Sequence, residues 1–133
     1  MIEYRLDHIA LLVRDLKETA DFLTRVLQIR EVPDPMGGGM IRWFEFGHGQ
    51  RFHIQAGDIW RTHVEKRTHF ALSSPDFEAT LEHFRALGIA FSDMHGNPGG
   101  INVRPDGMRA VFVQDPNGYW FEINDFEPGR PEG

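Results

Sequence analysis

Two stretches of this 133-residue chain carry nearly the same phrase: DHIAL at residues 7–11 and THFAL at 68–72, each with histidine in second place. A second pair follows in the same order, FHI at 52–54 and FEI at 121–123. His8, His53, His69 and Glu122 therefore stand one in each of four apolar segments. Three imidazoles and a carboxylate are good donors for a divalent transition metal. Any one of these histidines alone has an ordinary explanation as a hydrogen-bonded strand residue, but two repeat-matched pairs point to one shared ion. An ionised Glu122 without a partner in a partly apolar cavity would cost on the order of several kcal/mol, and a bound cation removes that cost. In such a site Glu122 is the candidate proton shuttle, and His53 can serve as ligand, as acid/base group, or as both by turns.

The segments that must position these groups read as strands. LDHIALLV alternates and is rich in branched residues, so Ile9, Leu11 and Val13 share one face and His8 the other. The same phasing sets His53 opposite Phe52 and Ile54, His69 opposite Phe70 and Leu72, and Glu122 opposite Phe121 and Ile123. After the first strand, Asp15 with Glu18 predicts a capped helix of about three turns carrying Leu16, Ala20, Leu23 and Leu27. After the third phrase, Ser74-Pro75 predicts an N-cap with proline at N1, then a helix striped by Phe77, Leu81, Phe84 and Leu87 and stopped by Gly88. GHGQ joins MIRWFEF to RFHIQ as a hairpin, and DPNG joins MRAVFVQ to YWFEIND through a type I turn.

Each half thus reads strand, helix, further strands, with the second half's glycine-rich loop the longer. Repeats at this scale imply that one unit pairs with another to cover its apolar face. The expected organisation is a single domain, 1–133, built of a module 5–57 and a module 67–125, with a loosely ordered tail 126–133. If the two sheets curl around a shared cavity, the four polar groups converge there.

Bulk composition narrows the function. Basic residues number 14 against 20 acidic, a formal charge of −6, which repels nucleic acid phosphates and anionic membrane surfaces. There is no cysteine, which excludes disulfides, thiolate metal sites and cysteine nucleophiles. Charged residues fall within the first seven positions and no apolar run is long enough to span a bilayer, so a soluble, cytoplasmic protein is expected. GGG at 37–39 lacks the lysine and hydroxyl residue of a phosphate loop, and neither a G-x-S-x-G elbow nor an H-x-H metal-barrel pair occurs.

From about Leu6 to Asn124, with LDHIALLVRDL, HFALSS and QDPNGYWFEI its most specific parts, the chain resembles the vicinal oxygen chelate superfamily: glyoxalase I, bleomycin resistance proteins, extradiol dioxygenases and their kin. The resemblance implies an α+β fold of two paired βαβββ modules forming a cup-shaped mixed sheet. It implies metal ligands at His8, His53, His69 and Glu122, and a bound divalent ion: nickel, cobalt, zinc or manganese, or iron(II) in a dioxygenase. It also implies a homodimer and a small-molecule substrate.

In glyoxalase I the position matching His53 is usually glutamate, so this chain is closer to a glyoxalase-I-like branch. The expected activity is a metal-dependent lyase or isomerase acting on a small carbonyl or hydroxy-carbonyl compound through a metal-stabilised enediolate or oxyanion. The alternatives are an iron(II) extradiol-type dioxygenase using His8, His69 and Glu122, and a non-catalytic drug-binding protein. His95, Trp60, Trp120, Arg42, Arg51, Arg104 and Arg109 are further candidates for the cavity wall or a substrate anion. His48, His63 and His83 are expected to face solvent.

Overall fold

The computed structural model describes residues 1–127. The chain divides into two compact units, one of Met1–His63 and one from Val64 onward.

In the first unit, β1 (His8–Val13) leads through helix α1 (Leu16–Asp21) to β2 (Arg30–Val32), β3 (Ile41–Gly47) and β4 (Gln50–Ala56). The sheet order is β1-β4-β3-β2. The helical crossover lets β1 lie parallel to β4, with Ala10 opposite His53; β3 runs antiparallel to β4, with Trp43 opposite His53. The second unit repeats the plan: β5 (His69–Ser73), α2 (Phe77–Ala86), β6 (Asn102–Val103), β7 (Arg109–Gln114) and β8 (Trp120–Asn124), in the order β5-β8-β7-β6. Here Ala71 lies opposite Glu122 on the parallel side, and Phe112 opposite Glu122 on the antiparallel side. Both units are mixed four-stranded sheets with a helix, an α+β fold as expected.

The alternation read from the strands decides what is buried. Leu11, Val13, Phe44, Phe52 and Ile54 form one core with Leu23 and Val26; Val111, Val113, Phe121 and Ile123 form the other with Phe77, Leu81 and Phe84. Each such large apolar side chain contributes roughly 1.5–3 kcal/mol when fully buried, so the apolar faces fix the phase of each strand. The histidines and Glu122 take the opposite face.

Three local features differ from the sequence reading. The first helix is α-helical only to Asp21 and continues as a π-helical turn over Phe22–Val26, closed by a bond from the Leu27 amide to the Phe22 carbonyl, 3.3 Å. Within it the Thr24 hydroxyl donates to the Ala20 carbonyl, competing with the regular ladder. The second helix is capped by Asp76, whose carboxylate accepts the Ala79 amide at 3.0 Å, and not by Ser74. Ser74 is instead bonded to the Thr80 hydroxyl. Of the expected tail 126–133, the Phe126 amide donates to the Asn124 side chain at 3.1 Å, and residues 128–133 lie outside the described residues. Gly88 ends α2 in the left-handed region as read. No helix among the described residues is long and apolar enough to cross a membrane.

Candidate metal centre

The four candidate ligands come together as two pairs, one in each unit. On the first sheet the His8 and His53 rings lie 5.2 Å apart, and the Trp43 indole covers both, 5.2 Å from His8 and 4.7 Å from His53. On the second, His69 Nε2 stands 3.7 Å from Glu122 Oε1. Among the described residues no group of three or more His, Asp or Glu side chains is gathered closely enough to share an ion.

The ring orientations are set from behind. His8 Nδ1 is 2.6 Å from the Asp7 carboxylate, and His69 Nδ1 is 2.8 Å from the Lys66 carbonyl. A carbonyl only accepts, so His69 carries its proton on Nδ1 and, when neutral, presents a lone pair at Nε2. That lone pair faces an oxygen of a carboxylate whose other oxygen accepts the Asn124 amide at 2.8 Å. Two such lone pairs turned toward one another repel, and a cation or a proton between them relieves that repulsion. An imidazole held by a carboxylate or carbonyl at its far nitrogen is also the usual outer shell of a metal-binding histidine.

His53 differs from the other two. It is 9% exposed, and its Nδ1 is buried without a partner, as are Trp43 Nε1 and Asp34 Oδ2 in the same unit. Burial pulls its pKa below the ordinary value; the neighbouring His8 pushes the same way, and Asp34 opposes. His53 is thus kept neutral, the form in which an imidazole binds metal. Within each unit the paired donors are of types that suit a divalent ion.

The remaining candidates separate clearly. Arg42 pairs with Glu31, Arg104 with Asp106, and Arg109 with both Glu78 and Asp125. Arg51 is exposed, with its guanidinium over the Trp43 ring. His95 is exposed, and Trp60 is exposed beneath Arg61. His48 and His63 are exposed and His83 is half-buried on α2. Trp120 lies on the face of Glu122. Two residues were not singled out by sequence. Trp43 becomes predictable once the GHGQ hairpin fixes its register against His53. Lys66, whose carbonyl orients His69, sits in a turn with no periodicity to betray it.

The profile of the Glyoxalase/Bleomycin resistance protein/Dioxygenase superfamily matches residues 5–123. The chain belongs to this superfamily. A lactoylglutathione lyase from Pseudomonas aeruginosa is 28% identical over 153 residues, spanning 91% of this chain and 82% of that protein. The fosfomycin resistance protein FosX from Listeria monocytogenes superposes with a TM-score of 0.72 at 22% identity, covering 96% of this chain and 97% of its own. The oxidase ChaP-H2 superposes with a TM-score of 0.70 at 24% identity, covering 96% and 98%. At these identities the two structures share the fold with this chain.

Proposed function

We propose that the protein is a metal-dependent lyase or isomerase of the glyoxalase-I-like kind, acting on a small carbonyl or hydroxy-carbonyl compound, with His8, His53, His69 and Glu122 as the residues that would hold the ion. The observation that carries this reading is the opposed pair in the second unit: an imidazole whose Nδ1 is bonded to a backbone carbonyl and whose Nε2 stands 3.7 Å from a carboxylate oxygen. The resemblance to a lactoylglutathione lyase supports the reaction class. A bound divalent ion supplies Lewis acidity that polarises a substrate carbonyl. The chain's own groups supply the proton chemistry. Asn124 holds one oxygen of Glu122, leaving the other to take or return a proton. The neutral His53 can do the same from the first unit.

Metal analysis of the freshly purified protein tests this. About one equivalent of nickel, cobalt, zinc or manganese per chain is expected, falling to near zero in Glu122→Gln and His53→Ala, and lost from the wild type as pH drops below ~6.5 because protons compete for the imidazoles. Metal content indifferent to both substitutions and to mild acid would refute the assignment.

A second reading is an iron(II) dioxygenase. It is favoured by the different treatment of the three histidines: His8 and His69 are oriented from behind and His53 is not. His8, His69 and Glu122 would then be the two-histidine, one-carboxylate set. Oxygen uptake with iron(II) and a catechol distinguishes the two reactions.

A further inference from the structure

Lys66 is one of only two lysines in the chain, and its side chain lies half-buried within the second unit. Its ammonium stands 5.3 Å from the centre of the Phe112 ring and 4.8 Å from that of Trp120. The register puts Phe112 directly across from Glu122 and Trp120 beside His69, and the His69 and Phe112 rings meet edge to face at 5.2 Å. The positive charge is therefore held over the sheet face that carries the His69–Glu122 pair.

Two of its three N–H donors are committed, one to the Ser92 hydroxyl at 2.8 Å and one to the Asp93 carbonyl. No carboxylate pairs with it among the described residues. The Asp93 carboxylate is turned to the amides of His95 and Asn97 and to the Asn97 side chain. Arg42, Arg104 and Arg109 are each ion-paired, so among the described residues Lys66 is the partly enclosed cation without a carboxylate in contact, the Asp93 carboxylate acting on it only from a distance. An ammonium in such surroundings gains most from an anion brought in from outside.

We infer that Lys66 is a substrate-anchoring residue, and that the substrate carries an anionic group, a carboxylate or a phosphoryl, which the free Lys66 donor receives beside His69 and Glu122 while the Phe112 and Trp120 rings hold the ammonium in place. The inference deepens the proposed function and rests on it for the carbonyl part of the substrate. A residue that merely clipped the 91–94 loop to β5 would have no reason to discriminate charged from neutral ligands.

The test compares pyruvate with hydroxyacetone, a neutral compound of similar size, and adds glycolaldehyde phosphate for the phosphoryl case. Dissociation constants are measured by ligand-observed NMR on wild type, Lys66→Met and Lys66→Arg, each metal-loaded and metal-stripped. Lys66→Met is expected to weaken the better-bound anion about 10-fold or more, the scale of a lost charge-assisted hydrogen bond. It should leave hydroxyacetone binding unchanged, and Lys66→Arg should keep part of the preference. Whichever anion loses more identifies the group.

Equal effects on charged and neutral ligands, or none on either, would overturn the inference. Should Lys66→Met fail to fold, wild type alone decides. The anions must shift the Ser92 amide and Trp120 indole resonances while hydroxyacetone does not, and unmoved signals end the proposal. Because the stripped protein is tested too, a protein that binds no metal but still discriminates by charge would sink the metal assignment and leave Lys66 in its role.

Discussion

His8, His53 and His69 share a residue type and a strand-face position, yet the structure gives them different hydrogen-bond partners. His8 and His69 each hand a ring proton to a fixed acceptor, while His53 is buried beside another imidazole with its Nδ1 unmet. The consequence for His53 is directional. Its native pKa lies below the ordinary 6.5, so in the window between the two values the unfolded chain binds more protons than the folded one. The stability linked to His53 is fully present above about 6.5 and is lost as pH falls toward its native value. In metal-free protein its ring resonances should titrate with a midpoint below that of free histidine; a midpoint at or above it would contradict the burial described. Alternation of apolar residues sufficed to place each histidine on the correct face. Which nitrogen carries a proton depends on Asp7 and on the Lys66 carbonyl, and a backbone acceptor leaves no trace in residue types.

The helices show what local sequence carries and where tertiary context decides. Asp15 caps the first helix as read, accepting the Glu18 amide at 2.8 Å, whereas the start of α2 lies two residues later than Ser74-Pro75 suggested. Both Ser74 and Asp76 are good capping residues. The choice falls to the one whose carboxylate reaches the third amide along, and Ser74 is drawn off to Thr80. Replacing Asp76 by alanine should therefore lower unfolding free energy by about 1 kcal/mol, with Ser74→Ala costing less, in paired denaturant melts. The reverse order would restore Ser74 as the cap. The short strands β2 and β6 were legible only as further strands after the loops, because segments of two or three residues are fixed by the neighbour they pair with rather than by their own pattern.

At the scale of the whole molecule, the doubled sequence becomes two sheets of the same strand order, and that repetition was the most legible property of the chain. The candidate ligands are divided two and two between the units, so an ion held by all four should bind the folded chain and not the unfolded one. At a free metal concentration about 100 times Kd, the native state should gain about 2.7 kcal/mol. Calorimetry should show a melting temperature several degrees higher, reversed by a chelator and absent in His53→Ala. A melting curve indifferent to metal would count against the shared ion.

The pairing of β1 with β4, and of β5 with β8, also governs how the protein comes into being. Neighbours on these sheets are the first and last strands of each unit, so a growing polypeptide emerging from the ribosome has no seat for its opening strand until the closing one is synthesised. The candidate ligands of each pair meet only at the end of each round of assembly, so an ion held by them would be captured late and would not nucleate folding.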